Sequence, residues 1–160
     1  MALLYDWENR SEEWWLGAQL APVSRAALER FALGDHDVFR EGQIRLMLSH
    51  GPDTVAALDL YDVNFRHRRA GVGVVVAAHR REEGHGRVGL ELLSAYALQH
   101  LGLHQIYAEI PADHSPSLAL FEAAGFTPFA TLPDWIRVGE GWRDVVVMRR
   151  FSMNAFQGTA

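Results

Sequence analysis

At 160 residues, with a formal charge of −5, 8 histidines and no cysteine, the chain has the size of one ordinary domain with its own core, and disulfides and thiolate metal sites are excluded. The acidic balance argues against a nucleic-acid partner and suits a cationic amine. No apolar run is long enough to span a membrane and no signal-peptide pattern is present, which reads as a cytoplasmic protein, bacterial by default, with no membrane partner and no metal.

In chain order, the spacing of Leu3, Leu4 and Trp7 predicts a short helix, followed by a polar break over residues 9–13 and an aromatic patch at Trp14 and Trp15. A tryptophan pair beside Glu12 and Glu13 is either core packing or the wall of a site for an alkylamine. Ser24 then caps a helix carrying Leu28, Phe31 and Leu33 and stopped by Gly34. Three strands are predicted over residues 43–48, 54–62 and 70–77, with a turn at Gly51-Pro52-Asp53, and they read as an antiparallel meander. The basic connection over residues 64–69 is read as a solvated turn, with a phosphate contact as the alternative.

The third strand ends in Val74-Val75-Val76-Ala77 and feeds a polar loop with Gly84 and Gly86, which opens into a helix carrying Val88, Leu92, Leu93 and Tyr96. Such a passage is either a phosphate cradle or simply a tight strand-to-helix connection. Glycines let the backbone turn sharply and approach an anion, and the first N–H groups of a helix have no partner within it. Gly102 ends the helix. A strand over residues 104–110 follows, with Tyr107 and Glu109 on one face and Ile106, Ala108 and Ile110 on the other, and its pairing through the helical crossover is expected to be parallel. Ser115 is the expected cap of the next helix, with Pro116 at its first position and Gly125 as its stop. Strands over residues 127–132 and 144–148, joined through Gly139-Glu140-Gly141, close a single domain over residues 1–153, leaving a tail over 154–160.

Arg81-x-x-Gly84-x-Gly86 after a valine-rich strand resembles the acetyl-CoA pyrophosphate loop of the GNAT superfamily of N-acetyltransferases. The segment from Asp113 through Ser115-Pro116-Ser117 to Gly125-Phe126 resembles that superfamily's later motif, in the same order and spacing. The resemblance implies an α/β fold of the GNAT acyl-CoA N-acyltransferase type, a mixed, mostly antiparallel sheet flanked by helices, here with the opening strand missing and the first residue falling almost directly on a helix. Residues 59–69, Gly125-Phe126 and Trp142-Arg143-Asp144 are similar to the branch of spermidine and ribosomal-protein N-terminal acetyltransferases.

That resemblance implies acetyl-CoA as acyl donor, and as acceptor a primary amine, on a polyamine-like small molecule or a protein N-terminus, attacking directly in a ternary complex. Its rival is a non-catalytic acyl-CoA-binding or interaction module on the same scaffold. A homodimer is expected from exposed tryptophans near an unpaired sheet edge. The pattern assigns the pyrophosphate to Arg81, Gly84, His85, Gly86 and Arg87, the pantetheine arm to the main chain of Val74, Val75 and Val76, and further cofactor contacts to His114, Ser117 and Phe121. Glu109 is the candidate base, His114 the candidate acid with Ser117, Tyr107 or no dedicated acid as the alternatives, and Asp59, Asp62, Trp14 and Trp135 the candidate amine side. Three residues depart from the family pattern: Phe121 stands where a tyrosine is common, His114 where asparagine is usual, and Glu82, beside Glu83, where glycine is common.

Overall fold

A computed structural model describes residues 2–9, 22–34 and 36–152 of the chain. The first helix, α1 (Ala2–Glu8), carries the predicted apolar spacing. The second, α2 (Arg25–Ala32), begins as expected at Ser24, whose Oγ accepts from the Ala27 N–H at 3.2 Å. Asn9 ties the two together, accepting from Val23 N–H at 2.7 Å and donating to Val23 O at 3.1 Å. A third short helix, α3 (Val38–Glu41), carries no apolar period and was not expected. It is defined by local bonds instead: Asp37 caps it through Phe39 N–H, and Gly42 ends it at φ +66°.

Three strands follow, β1 (Ile44–His50), β2 (Asp53–Asn64) and β3 (Arg69–Val76), and they form the expected antiparallel meander. The loop after β3 includes a 3-10 turn at Ala78–Arg80 and leads into α4 (His85–Ala95). The helix closes in a π-helical turn, Tyr96–His100, which brings Leu103 N–H back to Ala97 O and fits the chain to β4 (Gln105–Pro111). Helix α5 (Ser115–Ala123) has Pro116 in its first turn, and Gly125 lies just beyond it at φ +82°. Because the helix starts at Ser115, the cap position falls on His114 rather than on Ser115, and no side chain caps it. A long hairpin, β5 (Thr127–Val138) and β6 (Gly141–Phe151), extends the two short terminal strands expected from the sequence.

The six strands form one sheet in the order β1-β2-β3-β4-β6-β5. Every neighbouring pair is antiparallel except β3–β4, joined through the α4 crossover. Among the described residues no strand precedes α1. Helices α4 and α5 cover one face. Leu90, Leu93, Phe121 and Phe126 pack there on Leu58, Leu60, Val72, Ile106, Ala108 and Ile110, and each fully buried leucine or phenylalanine contributes about 1.5–3 kcal/mol. The helix lies close to the sheet at Gly89, where a Cβ would come within 2.7 Å of Leu58 Cδ2.

The opposite face is covered over β1 and β2 by α1 and α2. Arg45 is the link. Its guanidinium binds Asp59 in bidentate fashion at 2.6 and 2.9 Å, pairs with Glu8 of α1 and stacks over Phe31 of α2 at 5.7 Å. Burial opposes the arginine's charge, but its bonds with Asp59 and Glu8 outweigh that and raise its pKa.

Candidate active site

The parallel pairing between β3 and β4 is short. Arg69, Ala70 and Gly71 pair with Gln105, Ile106 and Tyr107, and there the two strands part. From Val72 to Val76, β3 keeps its bonds to β2 on one side only. Successive strand residues offer their main-chain groups to alternate edges, so the β4 side of this stretch presents N–H and C=O groups to a wedge-shaped opening. Val74, Val75 and Val76 line it at the end nearest the glycine loop.

The loop sits at the wide end of the wedge. Gly84 holds φ +83° as the residue before α4, a left-handed conformation that favours glycine. The first N–H to bond back along the helix is that of Val88, to Gly84 O at 3.1 Å, so those of His85, Gly86 and Arg87 have no intrahelical acceptor. A Cβ at Gly86 would lie 3.1 Å from Leu120 and 3.2 Å from Val76, so the loop is seated closely between α5 and the end of β3. A cradle of free N–H groups, a helix dipole and an unpaired strand edge fit a pyrophosphate with its pantetheine arm.

The side chains around the cradle differ from the sequence expectation in several respects. Arg81 is exposed at its rim. The Arg87 guanidinium turns along the helix to Glu91 at 2.9 Å, leaving its main chain as the part that faces the cradle. His85 turns toward Glu83, 3.1 Å away, with its ring 5.2 Å from that of His50. Of the two loop carboxylates, Glu83 is held by Arg80 at 3.2 Å and by His85. Glu82 is solvent-exposed at φ +65°, which gives a physical reason for glycine to be common at this place. The basic connection over residues 64–69 lies at the opposite end of β3 from the loop, with Arg68 bonded to Gly102 O at 2.8 Å, so the solvated-turn reading holds and the phosphate contact falls away.

On the face away from α4 and α5, the narrow end of the wedge is ringed by side chains from three strands. Tyr107 and Glu109 project from β4, Tyr61 from β2, and Trp135 from β5, where a register shift between Leu132 and Ile136 and a positive φ at Asp134 redirect the strand. Trp135 donates its indole N–H to Glu109 Oε2 at 3.2 Å. Tyr61 and Tyr107 meet edge to face with centroids 6.3 Å apart. Asp62 follows Tyr61 in an irregular stretch of β2 at φ +49°, exposed. Burial, and then the negative fields of Tyr107, Glu109, Asp62 and Asp59, push the Tyr61 phenol well up. Burial, with Asp62 and Glu109, raises Tyr107 against a smaller opposing effect of Arg69. The rim is therefore aromatic and electronegative, the combination that attracts an ammonium group.

Several expected site residues stand elsewhere. Asp59 is committed to Arg45, which removes it as an open anion for an amine. Phe121 is only 4% exposed and packs edge to face on Phe126 at 5.0 Å, so its ring serves the core rather than a cofactor surface. His114 and Ser117 are half-buried at the start of α5. Trp14 lies outside the described residues. Tyr61 was missed. Its signal in the sequence was faint, an alternation with Asp59 on one strand face and two glycines, Gly71 and Gly73, on the neighbouring strand.

The sequence matches the Acetyltransferase (GNAT) family over residues 2–126. The chain belongs to this family and is an acetyl-CoA-dependent N-acetyltransferase, with acetyl-CoA as its acyl donor. No curated protein matches it in sequence. Among solved structures it is similar to spermidine N-acetyltransferase from Vibrio cholerae in complex with CoA and spermine, at 17% identity and a TM-score of 0.84, covering 98% of this chain and 92% of that one. A dodecameric structure of the Vibrio cholerae spermidine enzyme in an intermediate state is similar at 18% identity and a TM-score of 0.79, with 98% and 90% covered. At these identities the likeness establishes the shared fold. No helix among the described residues is long and apolar enough to cross a membrane.

Proposed function

We propose that this enzyme acetylates the primary amine of a small, polyamine-like cation by direct attack on the thioester. The observation that carries the reading is the group of Glu109, Trp135, Tyr61, Tyr107 and Asp62 around the narrow end of the β3–β4 opening. Aromatic walls with carboxylates among them recognise an alkylammonium ion. The fold likeness to an enzyme bound to CoA and spermine supports the same acceptor class.

In this reading the N–H groups of Gly84 to Arg87 hold the pyrophosphate and Arg81 screens it. The edge of β3 from Val74 to Val76 aligns the pantetheine, and a main-chain N–H at the opening polarises the thioester carbonyl. A protonated amine cannot attack, so a proton must first leave nitrogen. Glu109 lies on the rim, exposed, and takes that proton directly or through water. The C–N bond then forms as the C–S bond breaks.

The test is thiol release from acetyl-CoA with a panel of polyamines, simple alkylamines and short peptides with free N-termini, for the wild type and Glu109→Gln. We expect turnover with polyamines and a fall of about 100-fold or more in kcat for the variant, the usual range for losing a general base. Preference for peptides over polyamines refutes the acceptor class, and unchanged kinetics in Glu109→Gln removes that residue from the chemistry.

A further inference from the structure

The ring of Tyr61 lies across the strand beside it. A Cβ on Gly71 would fall 2.2 Å from Tyr61 Cε2 and 2.5 Å from Cζ, so the end of the ring that bears the hydroxyl sits directly over Gly71. Gly71 is the last residue of β3 paired with β4, opposite Tyr107. Tyr61, although rooted on β2, therefore carries its hydroxyl to the point where β3 and β4 separate. The ring is pinned from the far side by Tyr107.

That hydroxyl has no hydrogen-bond partner among the described residues, whereas a tyrosine hydroxyl drawn this far from bulk water usually has one. It is not sealed from a ligand either, since it is absent from the fully enclosed polar atoms that lack partners. Around it the chemistry is one-sided. Glu109 and Asp62 only accept hydrogen bonds when ionised, and Trp135 already gives its single N–H to Glu109. A reaction in the opening that releases an anion gains from a hydrogen-bond donor, and Phe121 offers none.

We propose that Tyr61 is a catalytic residue whose hydroxyl donates a hydrogen bond to the thiolate leaving from acetyl-CoA. This rests on the acetyl-transfer reading above. As the C–N bond forms and the C–S bond breaks, the sulfur keeps the bond pair and accepts a hydrogen bond from the phenol, which keeps its proton. The amine nitrogen loses its protons to Glu109 and water, and the departed thiolate is protonated from solvent, so no further reactant is needed. The negative neighbours of Tyr61 serve this role by keeping the phenol protonated at working pH, so that it is always a donor when a thiolate appears.

The experiment compares wild type and Tyr61→Phe at saturating acetyl-CoA and amine, with acetyl-CoA affinity measured separately by calorimetry. Phenylalanine keeps the ring over Gly71 and removes only the hydroxyl. The expected result is a fall in kcat of at least tenfold, with the acetyl-CoA Kd and the amine KM changed by less than about twofold, since a hydrogen bond aimed at charge that develops only in the transition state acts on kcat. An unchanged kcat overturns the proposal, and so does a raised amine KM at constant kcat, which would make Tyr61 a wall of the acceptor site. A wild-type enzyme that acetylates no amine overturns the functional reading together with this one, whereas an active wild type with an equally active Tyr61→Phe overturns this one alone.

Discussion

Gly71→Ala tests the geometry at the narrow end of the wedge. Gly71 does not occupy the left-handed region, so its main chain accepts alanine, and the cost arises from the side chain alone. The new methyl would stand 2.2, 2.5 and 2.7 Å from Cε2, Cζ and Cδ2 of Tyr61. Unstrained carbon contacts are about 3.5–4.0 Å, so the ring must retreat by more than about 1 Å. Overpacking of this kind costs roughly 1–3 kcal/mol. Tyr61 is half-buried and has a solvent side toward which to move, which places the expected loss near the lower part of that range, about 1–2 kcal/mol. In a Tyr61→Ala background the methyl meets no ring, and the same substitution should cost less than about 0.5 kcal/mol. Urea unfolding of the wild type, both single variants and the double variant gives the coupling energy directly. A coupling indistinguishable from zero would mean that the Tyr61 ring does not lie over Gly71, and would remove the basis for placing its hydroxyl at the opening.

Two more predictions follow from strain and charge. Glu82→Gly relieves a left-handed residue, about 1 kcal/mol, but loosens the unfolded chain by a similar amount, so stability should change little. Removing a carboxylate from the rim of the phosphate cradle should tighten acetyl-CoA binding a few-fold in calorimetry at low salt, an advantage that shrinks at roughly 1 M salt; weaker binding would show that the Glu82 carboxylate holds the loop in place. Tyr61 and Tyr107 bind their protons more tightly in the fold than in the unfolded chain. Their contribution to stability is thus complete below the ordinary phenol pKa of about 10 and is lost as pH rises above it. Tyr61→Phe should flatten the decline of the urea midpoint above that pH, and an equally steep decline in the variant would show that Tyr61 does not hold its proton more tightly in the folded state.

The strand, glycine loop and helix start of the candidate cofactor side were legible in the sequence because they are made by consecutive residues. A valine-rich strand, two glycines and a helix start specify their own conformation, with Gly84 in the left-handed region and Gly86 seated closely against Leu120 and Val76. The meander, the crossover and the order of elements followed from local periodicity and turn residues in the same way. The short helix α3 and the π-helical turn after α4 escaped because neither has a period of its own, and both are set by local capping and by the fit of the chain to its neighbours.

The acceptor side depends on residues far apart in the chain, which only strand order brings together. The sequence offered Asp59 as an anion for an amine, but it did not reveal that Arg45 lies opposite on β1 and takes both carboxylate oxygens. It offered Trp135 with no partner, and a register shift in β5 turned its indole to Glu109. Tyr61 gained its place from the absence of a side chain on the next strand. By itself, the sequence determined that a glycine loop opening a helix would form after a valine-rich strand, since the required main-chain geometry is written in adjacent residues. The tertiary structure alone decided which carboxylates are neutralised by a cation and which aromatic rings meet at the β3–β4 opening, because charge neutralisation and reach depend on what lies across the sheet.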